Sequence, residues 1–121
     1  MKPVSSELEN GWLWFVKQVS GVLVFVLIIV HLVVNHLVAE AGLLSYAEVV
    51  RYLANPWIAL MESVFLILII GHSLMGLRSI ILDFNPSKAF MKTLDPLLIL
   101  TALGFSVYGI WLTITVGSVV L

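Results

Sequence analysis

The sequence predicts an all-α membrane protein with three transmembrane helices. Hydrophobic residues make up 61% of the 121-residue chain and charged residues only 11%, whereas about 25% of a typical soluble domain is charged. The excess lies in three apolar segments, each longer than the roughly 20 residues that a helix needs to cross the hydrocarbon core. Backbone groups in lipid must hydrogen-bond within their own segment, so each segment is expected to be a helix.

The chain is expected to form a single membrane domain over residues 1–121. Asn55-Pro56 and Asp95-Pro96 each place a side-chain cap before a proline at the first helical position, which is typical of helix starts. The piece LSYAEVVRYL, between the first two segments, has helical spacing and predicts an interfacial turn of helix. The predicted transmembrane helices cover about residues 12–39, 56–83 and 96–119.

The basic residues predict the orientation of the chain. Lys2 and Lys17 lie on the N-terminal side of the first apolar run, which begins at Val19, and Lys88 and Lys92 lie between the second and third segments, close to Arg78. The connection between the first two spans carries only Arg51. The positive-inside rule therefore places the N-terminus in the cytoplasm.

Composition excludes several classes of function. The formal net charge is -1 without a basic cluster, so nucleic acid is not expected as a partner. The chain has no cysteine, which excludes disulfides, cysteine nucleophiles and thiolate-held iron–sulfur clusters in this chain.

The stretch GHSLMGLRSIILDF places ionisable groups inside the second apolar segment. His72 precedes Asp83 by eleven residues, or roughly 16 Å of helix, so it is expected near the middle of the bilayer. Ionisable residues at that depth usually face the bundle interior and serve a function. Gly76, one turn away on nearly the same face, gives clearance for a flat cofactor, and Arg78 lies closer to the cytoplasmic side.

The first apolar segment has a matching polar face. Ser20, His31 and Asn35 share it at about 100° per residue. His31 lies roughly 16 Å beyond Ser20, which also predicts a position near the middle of the bilayer. His36 points about 140° away from His31, and it is expected only to pack or to bond a neighbouring helix.

Three roles remain open for the other two histidines on this reasoning. Each imidazole could hold neighbouring helices together through a hydrogen bond, relay protons, or ligate a haem iron. For His72 the nearby glycine and arginine favour haem ligation, because an arginine suits a haem propionate.

Three motifs together resemble a known family. They are QVSGVLVFVLIIVH at residues 18–31, NPW at 55–57 followed by Glu62, and HSLMGLRSIILDF at 72–84. The chain resembles the small membrane-anchor subunits of succinate dehydrogenase (succinate:quinone oxidoreductase, respiratory complex II). The likeness is greatest to the D-type anchor of bacterial and archaeal enzymes that have two small anchors.

The resemblance implies roles for particular residues. It implies that His72 is an axial ligand of haem b, that Arg78 serves a propionate and that Gly76 gives the haem clearance. His31 matches a histidine of members that hold two haems, so it is a candidate ligand of a second, outer haem. Adjacent helices pack at about 8–10 Å, which is tight for one haem between His31 and His72, so one or two haems shared with the partner anchor are expected.

The sequence departs from the family at its quinone-binding positions. Gln18 and Trp14 stand where C-type anchors have arginine and serine, and Phe84 replaces a tyrosine that often donates to quinone. We therefore expect partner chains to build most of the quinone site, with Asp83, Ser20 and Gln18 near it.

The implied function is that of an anchor without catalytic residues of its own. It would tether a flavoprotein with FAD and an iron–sulfur subunit to a bacterial or archaeal cytoplasmic membrane, beside a second anchor, and help electrons pass from succinate to quinone. A higher oligomer of the complex is also compatible with the resemblance. Two roles are open for Glu62: an ion pair with Arg51, or part of an outer quinone or proton site.

Two alternatives remain. The first is a haem-free anchor of the same family or of fumarate reductase. The second is a small membrane scaffold or transporter component with a proton path through His31, Asn35 and His72. The absence of an internal repeat argues against a transporter.

Overall fold

The computed structural model describes residues 11–37 and 44–119, and these residues contain helices and no strand. Three of the helices are long and apolar enough to cross a membrane, which confirms the predicted fold class. The predicted end of the first helix, residues 38–39, lies outside the described residues. The helices are α1 (Gly11–Leu32), which continues as a π-helical turn (Val33–Leu37), α2 (Tyr46–Leu53), α3 (Pro56–Asp83) and α4 (Lys88–Gly117).

The start of α3 follows the predicted capping chemistry. The Asn55 side chain accepts a hydrogen bond of 3.0 Å from the backbone N–H of Trp57, and Pro56 occupies the first helical position. The short helix α2 has a capping box, in which the Ser45 side chain and the Glu48 side chain each bond the other's backbone N–H. These caps satisfy backbone donors that have no partner inside a helix.

The predicted start of the third membrane helix at Pro96 is wrong. Helix α4 begins at Lys88, where the Ser87 side chain accepts from the backbone N–H of Phe90 at 3.1 Å. Pro96 lies inside the helix, where it removes the backbone hydrogen bond to the carbonyl of Lys92. Asp95 is therefore not a cap, and its carboxylate takes part in an ion pair described below.

Helix α3 lies in the middle of the bundle. It packs against α1 on one side and α4 on the other, and α2 packs against α4 and α3 at one end. A side chain at Gly117 would overlap the backbone carbonyl of Leu53, so the glycine lets α2 and the end of α4 approach each other closely.

The described residues bury few side chains within the chain. Only four are buried, and most large apolar side chains are exposed on the outer faces of the helices. This is the burial expected of a membrane subunit whose apolar surface faces lipid or other subunits. The buried residues are Ser20, Val50, Leu82 and Met91.

Candidate functional site

The polar faces of α1 and α3 meet each other. Near the N-terminal half of α1, the Ser20 hydroxyl donates to the carbonyl of Lys17 at 2.9 Å. A hydroxyl has one hydrogen, so Ser20 Oγ must act as the acceptor in its 3.0 Å contact with His72 Nδ1. The proton of the neutral imidazole is thus held on Nδ1, and the lone pair of His72 lies on Nε2.

Gly21 lets the His72 ring lie against α1. A Cβ atom at Gly21 would lie 3.1 Å from His72 Cε1, closer than an ordinary van der Waals contact. A second contact between the helices lies closer to the N-terminus of α1, where Lys17 Nζ donates to Ser79 Oγ at 2.8 Å. Ser20 and Gly21 therefore fix both the tautomer and the position of the His72 imidazole.

A second cluster lies between the other end of α1 and the start of α3. His31 Nδ1 lies 2.8 Å and 3.0 Å from the two carboxylate oxygens of Glu62. The Tyr52 hydroxyl on α2 donates to the same carboxylate. Asn35 completes the cluster by donating to the carbonyl of His31 at 2.9 Å. The sequence left two roles open for Glu62, an ion pair with Arg51 or part of an outer quinone or proton site. The structure places its carboxylate among the side chains of His31, Asn35 and Tyr52.

This second cluster lines a cavity of about 330 Å³. Apolar side chains such as Phe65 and Leu66 form the rest of its wall, and the rings of His31 and Phe65 lie 5.2 Å apart. Burial and the hydrogen bond to Glu62 raise the pKa of Tyr52 above its ordinary value. Tyr52 therefore stays protonated and acts as a donor to the carboxylate.

The two histidines lie at different levels of the bundle, whereas the sequence predicted both near mid-bilayer. His72 contacts Ser20, and Ser20 precedes His31 by eleven residues on α1, or roughly 16 Å. The prediction measured the depth of His31 from Ser20, whereas α1 begins earlier, at Gly11. His31 thus lies closer to the far end, level with Glu62. One iron cannot join both imidazoles at this separation.

The Nε2 atoms of both imidazoles make no hydrogen bond to the residues that the structure describes. Among the residues that the structure describes, the hydrogen bonds of His31 and His72 are made through Nδ1. Within the described residues, no fully enclosed side-chain nitrogen or oxygen lacks a hydrogen-bond partner, so each Nε2 keeps some accessible surface. Ligating histidines typically have this arrangement, with the other ring nitrogen bonded to an oxygen acceptor.

Arg78 forms a two-point ion pair across the α3–α4 interface. Its Nε and Nη2 lie 2.8 Å and 3.2 Å from the two carboxylate oxygens of Asp95. Both residues line an apolar cavity of about 350 Å³ between the helices, together with Gly71 and Leu98. Asp95 is thus a site residue that the sequence interpretation missed, because its position before Pro96 suggested a cap.

The remaining predicted site residues do not converge on one point. A side chain at Gly76 would meet nothing within 4 Å, so space for another group lies beside it. Gln18 and Asp83 are exposed, whereas Ser20 is buried and bonded to His72. The roles at a haem and at a quinone stay predictions.

Within the described residues, no three histidine or acidic side chains come together as a metal site. Three helices that are long and apolar enough to cross a membrane, with two imidazoles bonded through Nδ1 between them, define a small integral-membrane protein with two candidate ligand positions.

Comparison with known proteins agrees with this class. Residues 4–116 match the model of the family described as the succinate dehydrogenase/fumarate reductase transmembrane subunit. A relative from Archaeoglobus fulgidus, described as a succinate dehydrogenase hydrophobic membrane anchor subunit, is 31% identical over 106 residues, which cover 85% of this chain and 87% of that protein. No solved structure matches the chain.

The chain belongs to the succinate dehydrogenase/fumarate reductase transmembrane subunit family. The predicted resemblance is confirmed, and with it the expectation of a multi-pass membrane anchor that associates with catalytic subunits.

Proposed function

We propose that this chain is the haem b-binding anchor of a succinate:quinone oxidoreductase, with His72 as an axial ligand. The observation that carries the proposal is the bond between His72 Nδ1 and Ser20 Oγ at 3.0 Å. It leaves the Nε2 lone pair pointing away from the hydrogen-bonded edge, as axial ligation requires. Haem b supplies an iron that accepts and gives up one electron.

His31 is the candidate ligand of a second haem. Its Nδ1 is bonded to Glu62, so its free nitrogen is also Nε2. The distance between the levels of His31 and His72 supports two separate irons. Each iron would take its second imidazole from the partner anchor, because this chain offers one histidine at each level.

Arg78 lies at the end of the bundle that carries Lys17, and its side chain supports the same proposal. Asp95 occupies only part of its guanidinium, which has further N–H donors for an anionic group such as a propionate. The open space at Gly76 lies between Arg78 and His72 along α3. These residues bind and orient the cofactor, and none of them transfers substrate atoms.

The partners proposed for this chain are a flavoprotein with FAD, an iron–sulfur subunit and a second anchor, in the cytoplasmic membrane of a bacterium or archaeon. The basic residues Lys17, Arg78 and Lys88 lie at one end of the bundle, which supports a cytoplasmic location for that end. The exposed Gln18 and Asp83 lie at the same end and are available to line a quinone site built with those subunits.

The test is a reduced-minus-oxidised visible spectrum of the purified complex that contains His72→Ala, His31→Ala or His36→Ala. His36 is the matched control, because it lies on the same helical segment as His31 and is not a proposed ligand. We expect loss of one b-type component with His72→Ala, loss of another with His31→Ala, and an unchanged spectrum with His36→Ala. Subunit content must show that each variant assembles.

A haem-free anchor is the alternative function. In that case the bonds His72–Ser20 and His31–Glu62 only hold α1 against α3. A wild-type complex without a b-type band would support a haem-free anchor. A band that survives both His72→Ala and His31→Ala in an intact complex would show that this chain supplies no haem ligand and acts as a packing anchor.

A further inference from the structure

The two imidazoles are held by acceptors of different charge. His72 Nδ1 donates to the neutral hydroxyl of Ser20 at 3.0 Å. His31 Nδ1 donates to the carboxylate of Glu62 at 2.8 Å. The two acceptors lie on opposite helices, so the chain uses α1 to hold the ligand on α3 and α3 to hold the ligand on α1.

A carboxylate acceptor makes an imidazole a stronger electron donor than a hydroxyl does. The negative charge draws the Nδ1 proton towards oxygen and raises the basicity of Nε2. A more basic axial ligand stabilises the ferric more than the ferrous state, and hydrogen bonding around axial ligands is one of the means by which a protein sets a haem potential. The two histidines are therefore unequal ligands although their side chains are the same.

We propose that Glu62 is a positioning residue for His31 and lowers the reduction potential of a haem held there. This inference rests on the proposed haem-binding function. Glu62 acts through the imidazole and contacts neither substrate nor iron. Tyr52 donates to the same carboxylate, so Tyr52 limits how strongly Glu62 accepts from His31.

The surroundings of the pair favour a strong interaction. The Glu62 side chain is 13% exposed and the His31 side chain 34% exposed, so little water competes for the carboxylate. Phe65 lies against one side of the imidazole. The charged or titratable groups around Glu62 are His31 from α1 and Tyr52 from α2, and α4 contributes the Thr113 side chain to the cavity.

The experiment is a potentiometric titration of the haem bands in the purified complex with Glu62→Gln and Tyr52→Phe. Glutamine keeps a neutral acceptor for Nδ1, like the hydroxyl of Ser20, so we expect an upward shift of the potential assigned to His31. Phenylalanine removes the competing donor, so we expect a downward shift of the same component. The component assigned to His72 should stay in place in both variants.

Glu48→Gln is the matched control. Glu48 lies on α2 at the same end of the bundle, and glutamine at this position preserves the capping box. It removes one negative charge without touching an imidazole. The control should leave both potentials unchanged, and the low-spin ferric EPR signal should move only with the two variants that change the bond to His31.

The outcomes separate this inference from the proposed function. A complex that lacks any b-type haem overturns both. A complex with a component lost in His31→Ala but unmoved by Glu62→Gln and Tyr52→Phe overturns only the role of Glu62. Shifts of the same sign in both variants, or an equal shift in Glu48→Gln, also contradict it, because loosened packing or remote charge would then explain them.

Discussion

Replacing Ser20 with alanine should weaken the retention of haem at His72. The variant removes the only described hydrogen-bond acceptor of His72 Nδ1, while Ala fills nearly the same buried space. A buried donor left without a partner costs about 1–3 kcal/mol, which corresponds to roughly 5- to 150-fold in an equilibrium constant. Loss of such a supporting bond typically lowers metal affinity about 10- to 100-fold. Since His72 is half-buried, we expect about a tenfold loss.

The assay is the rate of haem transfer from the purified complex to an excess of apomyoglobin, read from the visible spectrum. Ser63→Ala is the matched control, because the Ser63 hydroxyl donates to the carbonyl of Ala59 at 2.7 Å and is not bonded to an imidazole. Ser20→Ala should release the His72 component faster than wild type, and Ser63→Ala should not. Equal rates for wild type and Ser20→Ala would refute the claim that this hydroxyl holds the ligand.

Two further predictions concern packing and the ion pair. Gly117→Ala should lower the melting temperature of the complex, because the added Cβ meets the backbone carbonyl of Leu53 and overpacking costs about 1–3 kcal/mol. Gly104→Ala is the control, because a Cβ there meets nothing within 4 Å. Equal melting temperatures for the two variants would contradict the close packing at Gly117. Arg78→Leu should cost about 1–2 kcal/mol, between the values for exposed and buried pairs. Adding Asp95→Leu should recover most of that loss in thermal unfolding, whereas an additive loss would argue against coupling.

The bounds of α3 could be predicted because they depend on local chemistry. Asn55-Pro56 is a cap followed by a proline, and both act within one turn. The same signal misled at Asp95-Pro96, because Ser87 caps the helix eight residues earlier and Asp95 bonds Arg78 instead. A local pattern cannot show that a side chain has a partner on another helix.

The candidate site was predictable in part for the same reason. Periodicity placed Ser20 and His31 on one face of the first helix, but it does not give the register of one helix against the next. The partnerships of His72 with Ser20 and of His31 with Glu62 depend on that register. Tyr52 was missed as well, because it reaches the site through the docking of α2.

The two imidazole bonds also determine which changes in chain length the family can tolerate. On α1 the bonded positions, 20 and 31, are eleven residues apart, and on α3 the bonded positions, 62 and 72, are ten apart. One residue inserted or deleted within either interval turns one partner by about 100° and separates a pair. Outside them the helix is less constrained, and the π-helical turn at Val33–Leu37 is a place where an added residue is absorbed without rotating either histidine. Natural length variation among anchors of this type should therefore fall beyond the two bonded intervals.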